Sequence, residues 1–352
     1  MESPVVTPDR IVKLSLAFRA AKALLSAVEL DIFTALAEGP LGLDPLRTRL
    51  GIDQRGARDF FDALVALGML ERDQRGRYGN TPETDLYLDR QKPTYIGGEL
   101  VHFSTYVYPH WDLLTPALRT GEPQSGTRAT GHYSALYADH AALETFLKGM
   151  TGGSLQVANA VATKFPWPDY ETFVDIGTAQ GGLPVQIATV HTHLTGGGFD
   201  LPPVRPHFER YVQEHGLAPR LQFYPGDFLA DPLPAADVLI LGRVLHNWDL
   251  ATKRLLLKKA YDALPDGGAL IVYERLIDDE RRANATALLA SLNMLIMTAG
   301  GFDFTGADCI GWMREAGFRD LHVELLTGDQ SMVVGTKQID KSTGAGAASG
   351  VA

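Results

Sequence analysis

The sequence predicts an α/β chain in two parts. A doubly wound sheet of about seven strands is expected over 165–338, preceded over 1–164 by an α-helical part with a winged-helix pattern, and a tail follows over 339–352. Three observations predict this. From Phe173 onward, short apolar runs alternate with helical patterns. The stretch Phe173-Val174-Asp175-Ile176-Gly177-Thr178-Ala179-Gln180-Gly181-Gly182 reads strand, glycine turn, helix. Leu30 to Asn80 reads helix, helix, helix, hairpin.

Taken in order, Ile11–Val28 is expected to be one helix. Ile11, Val12, Leu14, Leu16, Phe18, Ala21, Leu24, Leu25 and Val28 make it apolar over most of its circumference. Such a helix needs covering on more than one side, by a second copy of the chain or by its own domain. Leu30–Ala37, Leu43–Leu50 and Arg55–Leu67 follow as helices, and Met69–Arg72 and Arg77–Asn80 as a hairpin. Arg55 and Arg58 on the third helix could suggest DNA contact, but Asp53, Asp59 and Asp62 on the same segment oppose a phosphate-binding face. Tyr95 to Gly153 reads as helical and aromatic, with Tyr95, Phe103, Tyr106, Tyr108, Trp111, Tyr133, Tyr137 and Phe146 either lining a pocket for a flat substrate or packing helices together. Phe165-Pro166-Trp167-Pro168 is expected to be a hinge.

Strands are then expected near 173–177, 197–201, 221–227, 237–245, 269–276, 320–326 and 331–337, the last two as an antiparallel hairpin across Thr327-Gly328-Asp329-Gln330. Helices are expected at Leu250–Leu264 and Gly306–Ala316, and the Gly/Ala/Ser-rich end from Ser342 reads as a disordered tail.

Composition limits the function classes. A net charge of -10 without a basic block argues against nucleic acid as the main partner. The single cysteine, Cys309, allows no internal disulfide. Ala287–Ala299, the longest mostly apolar stretch, is too short to span a bilayer, and Met1-Glu2-Ser3-Pro4 lacks the features of a signal peptide. A cytoplasmic protein without a membrane partner is expected.

The glycine turn narrows the ligand. A dinucleotide site calls for G-x-G-x-x-G, whereas here Ala179 stands at the middle glycine, and no G-K-[ST] follows for a P-loop. The next strand ends in Asp200, 23 positions after Gly177, where a carboxylate accepts from a ribose diol. The third ends in Gly226-Asp227-Phe228, an acid and a flat ring suited to a purine. A nucleoside without a pyrophosphate fits best, and S-adenosylmethionine (SAM) is the obvious one; the bland reading is a Rossmann-like core with ordinary turn acids.

The fourth strand leads into Leu241-Gly242-Arg243-Val244-Leu245-His246-Asn247-Trp248-Asp249. His246 falls at the sheet's carboxyl edge, where an imidazole is a candidate general base. A lone histidine is more often structural, but Glu274 lies at the same edge on the next strand and Asp303 follows Gly300-Gly301-Phe302. A carboxylate on one ring nitrogen fixes the tautomer and frees the other nitrogen for a proton. The spacing of these three does not read as a metal set.

Together the D-x-G turn, Gly226-Asp227-Phe228, the L-H-[DN]-W segment 245–248 and Gly300-Gly301-x-[ED]-x-Thr305 resemble the SAM-dependent small-molecule O-methyltransferases of plant phenylpropanoid and bacterial natural-product pathways, over Ile11 to Lys337. The resemblance implies a homodimer through an N-terminal winged-helix dimerisation domain, with SAM as donor and S-adenosylhomocysteine (SAH) as product. It implies that Asp175, Gly177 and Gly181 cradle SAM, that Asp200 with Leu201 holds the ribose and that Gly226, Asp227 and Phe228 hold the adenine. Arg243 and Trp248 complete the cofactor set, and Ser154 contacts the methionine carboxylate. Phe146, Met150, Asn247, Asn293 and Met297 would line the acceptor pocket. His246 would be the base, Glu274 its orienting acid, and Asp303 would take a place usually held by glutamate. The chain departs from the family at Gly177-Thr178-Ala179, usually three glycines, and at Gly242, often lysine. The expected reaction is methyl transfer to an aromatic hydroxyl, with N- or S-methylation, or a catalytically silent SAM-binding regulator, as alternatives.

Overall fold

A computed structural model describes residues 6–125 and 140–338. Tyr133, Tyr137 and the Gly/Ala/Ser-rich tail lie outside the described residues. The chain divides into two compact units, Met1–Pro109 and His110–Ala352.

In the first unit the expected N-terminal helix is two helices, α1 (Asp9–Ser15) and α2 (Ala17–Glu29). The break at Leu16 carries neither Gly nor Pro, so no sequence signal announced it. Ile11, Leu14 and Phe18 are exposed, while Leu25, Ala27 and Val28 enter the core. Three helices follow, α3 (Ile32–Ala35), α4 (Leu43–Leu50) and α5 (Gln54–Ala66), then the antiparallel pair β1 (Leu70–Arg72) and β2 (Tyr78–Asn80). Asp53 caps α5 by accepting from the Arg55 amide, and the helix buries Ala57, Phe61 and Leu64, one apolar stripe at helical spacing. Asp62 is held by the Tyr78 hydroxyl at 2.7 Å and by Arg72 at 3.2 Å. The helix–helix–helix–hairpin order is as expected.

The second unit holds a seven-stranded sheet of β3 (Thr172–Ile176), β4 (Thr195–Asp200), β5 (Leu221–Pro225), β6 (Val238–Gly242), β7 (Ala269–Arg275), β8 (Arg319–Thr327) and β9 (Gln330–Thr336), in the spatial order β5-β4-β3-β6-β7-β9-β8. The first five are parallel, and β9 runs antiparallel to both β7 and β8. Side chains alternate across the central strands. Phe173, Ile240 and Ile271 pack on one face with Val161, Phe165 and Trp167, whereas Val174, Leu239, Leu241 and Val272 pack on the other with Leu256, Phe304 and Trp312. The strand order reverses between β3 and β6, which opens a crevice at the carboxyl edge.

The proline-rich corner expected to be a hinge is packed. Trp167 is fully buried, its Nε1 donates to the Val161 carbonyl at 3.1 Å, and its ring meets Phe165 and Phe173 edge-on. A buried indole with its N–H satisfied anchors a corner rather than freeing it. Among the described residues, no helix is long and apolar enough to cross a membrane.

Candidate active site

A cavity of about 480 Å³ lies in the crevice of the second unit. Its wall includes Met150, Ser154, Asp175, Gly177, Asp200, Leu201, Gly226, Asp227, Phe228, Arg243, Asn247 and Trp248, so most of the expected binding residues meet in one place. They come from five chain segments: the helix α9 (His140–Lys164) and the ends of β3, β4, β5 and β6.

The turn after β3 is built by local sterics. Gly177 has φ +80°, and a Cβ there would stand 2.9 Å from Val244. Ala179 also adopts a left-handed φ of +52°, held by its amide, which donates to Asp200 Oδ2 at 2.9 Å. Gly198 opposite makes room for the Thr178 side chain: a Cβ on Gly198 would lie 2.2 Å from the Thr178 methyl. Gly181 differs from expectation. It is not on the cavity wall; it begins α10 (Gly182–Val190), and its missing Cβ admits the Phe208 ring. Gly242 likewise yields its side-chain space to Tyr273, whose ring lines the cavity.

Two acids of the cavity, Asp175 and Asp200, are strongly desolvated. Burial pushes Asp175 up to about 7, with Asp200 adding to the rise. Burial raises Asp200 to about 6, opposed by two amide donors, Ala179 N and Leu201 N, the latter at 2.7 Å to Oδ1. Each oxygen of Asp200 keeps a lone pair beyond its backbone bond, which suits two hydroxyls of a diol. Phe228 and Trp248 meet edge to face, 5.8 Å between centroids.

His246, Glu274 and Asp303 come together beside this cavity. His246 Nδ1 lies 2.6 Å from Glu274 Oε2, and the His246 amide donates to Glu274 Oε1 at 3.3 Å. The Glu274 side chain is 2% exposed and that of His246 17%, so the acid is sealed while the ring reaches open space. Asp303 is buried; desolvation raises it to about 6, with His246 pulling the other way. One ligating atom from each of the three lies within 4.8 Å of the others, so the three groups expected at this edge converge. The His246–Glu274 contact is a hydrogen bond: two atoms each about 2.1 Å from one tetrahedral ion would stand roughly 3.4 Å apart.

Asn293 and Met297, on the helix α13 (Ala285–Met297), do not line the cavity. Asn293 Oδ1 accepts from Trp111 Nε1 at 3.1 Å, and the Met297 carbonyl accepts from Ser125 Oγ at 3.3 Å. Phe146 lies within α9, but its side chain is outside the described residues. Sequence reasoning missed Trp111 as the partner of Asn293 and Tyr273 as a wall residue; only their three-dimensional neighbours mark them.

Comparison with known proteins accounts for both units. Residues 111–319 match the O-methyltransferase domain, and residues 12–90 match the O-methyltransferase dimerisation domain, which supports a homodimer. The chain is 43% identical over 330 residues to the tetracenomycin polyketide synthesis 8-O-methyl transferase TcmO of Streptomyces glaucescens, covering 94% of this chain and 97% of that one. It is 37% identical to the N,N-dimethyltransferase OxyT of Streptomyces rimosus, covering 92% and 94% of the two chains. Among solved structures, human N-acetylserotonin methyltransferase in complex with SAM superposes with a TM-score of 0.88 at 28% identity, over 96% of this chain and all of that one. Two matching domain models and a relative 43% identical over nearly the whole of both chains lead to one conclusion: the chain belongs to the O-methyltransferase family and is a SAM-dependent methyltransferase.

Proposed function

We propose that this enzyme transfers a methyl group from SAM to a hydroxyl of an aromatic small molecule, a phenol or polyketide-like ring, with His246 as general base. The observation that carries this reading is the buried Glu274 carboxylate on His246 Nδ1 at 2.6 Å. That bond holds the Nδ1–H tautomer and leaves Nε2 with a lone pair for the acceptor's proton. SAM supplies an electrophilic sulfonium methyl. Asp200 would hold the ribose, Asp227 and Phe228 the adenine, Ser154 the carboxylate, and Asp175 and Gly177 the floor of the site. Met150, Asn247, Asn293, Met297 and Phe146 would fit the acceptor. Catalysis then consists of holding the hydroxyl in line with the methyl and removing its proton as it attacks.

The polyketide O-methyltransferase relative supports an aromatic hydroxyl as acceptor. A second reading, N-methylation, is favoured by the N,N-dimethyltransferase relative; an amine needs less help from a base. The proposed functional division is 1–164 for dimerisation and capping and 165–338 for SAM and catalysis. The single, buried Cys309 suits a cytoplasmic enzyme. Incubating the protein with methyl-labelled SAM and matched panels of phenols, amines and thiols tests the reading. Label carried by phenols at neutral pH supports it, and label carried only by amines or thiols overturns it.

A further inference from the structure

Lys253 lies on α12 (Leu250–Ala263), a helix whose pattern gives no reason to bury a cation, yet its exposure is 0%. Its Nζ donates to the Trp248 carbonyl at 2.5 Å and to the Phe302 carbonyl at 3.0 Å, and stands 3.3 Å from the centre of the Phe302 ring. The first carbonyl is two residues after His246 and the second is one residue before Asp303. A single ammonium therefore joins the two segments that carry the base and the third acid.

Those segments are pressed together. A Cβ on Gly301 would stand 2.6 Å from the His246 carbonyl oxygen, and one on Gly300 would stand 2.8 Å from Asp249 Cβ. The Gly300-Gly301 pair thus permits a backbone approach that Lys253 then fastens. The charges agree with this placement. Glu274, Asp303 and Asp249 surround the lysine, while burial works against its charge and lowers it to about 8. Asp303 faces His246, Glu274, Arg275 and Lys253, and its Oδ2 is buried with no hydrogen-bond partner among the described residues.

We propose that Lys253 is a positioning residue for His246: it locks the 246–249 and 300–303 segments in register and supplies the positive charge that offsets Glu274 and Asp303 beside the base. The inference rests on the reading of His246 as the base. Burying an ammonium is unfavourable unless it is paired and hydrogen-bonded, and a methionine or leucine would fill the same space without that cost.

The test compares Lys253→Met, Lys253→Gln and Lys253→Arg with the full-length wild type and with His246→Ala, measuring melting, SAH affinity by calorimetry, and kcat and KM against pH. Lys253→Met is expected to melt cooperatively, to bind SAH within about threefold of wild type and to lose roughly ten- to a hundredfold in kcat, the range seen when orienting partners are removed around metal sites. The acid limb of its kcat profile should move to higher pH, because losing a nearby positive charge makes the buried Asp303 carboxyl beside the base hold its proton more tightly. Lys253→Arg, which keeps the charge, should hold the limb at its wild-type position. A rate loss uniform across pH, an unmoved limb in the neutral variants, or failure of both neutral variants to fold would each overturn the proposal and leave a structural lysine. If His246→Ala keeps its full rate, the base reading itself fails; if His246→Ala is inactive while Lys253→Met is unchanged, only the role of Lys253 fails.

Discussion

His246 and Glu274 hold each other at two points: ring Nδ1 to Oε2 at 2.6 Å, and backbone amide to Oε1 at 3.3 Å. One carboxylate therefore sets both the tautomer of the ring and the position of the backbone beneath it. With a general base removed, His246→Ala is expected to lower the methyl-transfer rate about 10²–10⁴-fold on a neutral phenol, with SAM affinity almost unchanged. Glu274→Gln keeps the shape and weakens tautomer control, so its loss should be smaller. The defect should shrink as pH approaches the acceptor's own pKa, near ~10 for a phenol. Steady-state rates across pH settle this, and a full rate for His246→Ala at neutral pH would remove the base assignment.

Asp200 is the acid whose oxygens face the nucleoside position in the proposed complex. Asp200→Ala should weaken SAM binding by about 1.5–3 kcal/mol, the usual cost of lost charge-assisted hydrogen bonds. Because burial raises Asp200 to about 6, wild-type affinity should also decline as pH falls below that value and the carboxylate is neutralised. Calorimetry with SAM at pH 5.5 and 7.5 reads both effects. Equal affinities for variant and wild type would move the ribose contact elsewhere.

The buried acids also make a prediction for the unliganded enzyme. Asp175 is raised to about 7, and Asp200 and Asp303 to about 6, all above the ~3.9 of an unfolded aspartate. Between those limits the folded chain holds protons that the unfolded chain has released, so their contribution is full below about pH 4 and is lost as pH rises through 6 to 7. Melting temperature should therefore fall more steeply between pH 5 and 7.5 in the wild type than in Asp175→Asn. Parallel curves would show that Asp175 is not the source.

Trp111 fixes the amide of Asn293 by donating to Oδ1 at 3.1 Å, which leaves the Asn293 N–H₂ to face elsewhere. Trp111→Phe keeps a ring and deletes the donor. The KM for the acceptor should rise roughly three- to tenfold, about the worth of one hydrogen bond, while SAM affinity stays the same. A change in SAM affinity alone would detach Asn293 from the acceptor.

Ile11, Leu14 and Phe18 are exposed in the isolated chain, on the helices that precede and enter the dimerisation domain. A chain beginning at Glu29 should run as a monomer or aggregate in light scattering, whereas the full chain should run as a dimer. A soluble dimer from the shortened chain would place the interface elsewhere.

Much of this was legible because the signals were local. The strands around Val174, Leu239 and Ile271 show in runs of β-branched and leucine residues, and the β8–β9 hairpin shows in Thr327-Gly328-Asp329-Gln330. The meeting of residues from the ends of β3, β4 and β6 in one cavity was legible because open α/β sheets place ligand groups at strand ends. Other features depend on neighbours far away in sequence. Nothing beside Leu16 marks a helix break. The prolines flanking Trp167 suggest a hinge until the indole is seen buried. Gly181 reads as a ligand glycine, and nothing near it in sequence shows that its missing Cβ also admits the Phe208 ring. Lys253 sits in Thr-Lys-Arg, which reads as a solvated face, until two carbonyls from distant segments meet its ammonium.

The placement of β9 between β7 and β8 bears on how the chain is made. A ribosome releases residues in order, and the strand that joins this sheet's seventh member to the other five is the last of the seven to emerge. Until residues 330–336 arrive, β7 has a bare flank and β8 has no partner. The first unit, whose pairings are all available by residue 109, can fold while synthesis continues. The catalytic unit must wait for its own final strand, so translation that stops even ten residues before β9 yields a folded dimerisation domain joined to an open, adhesive sheet.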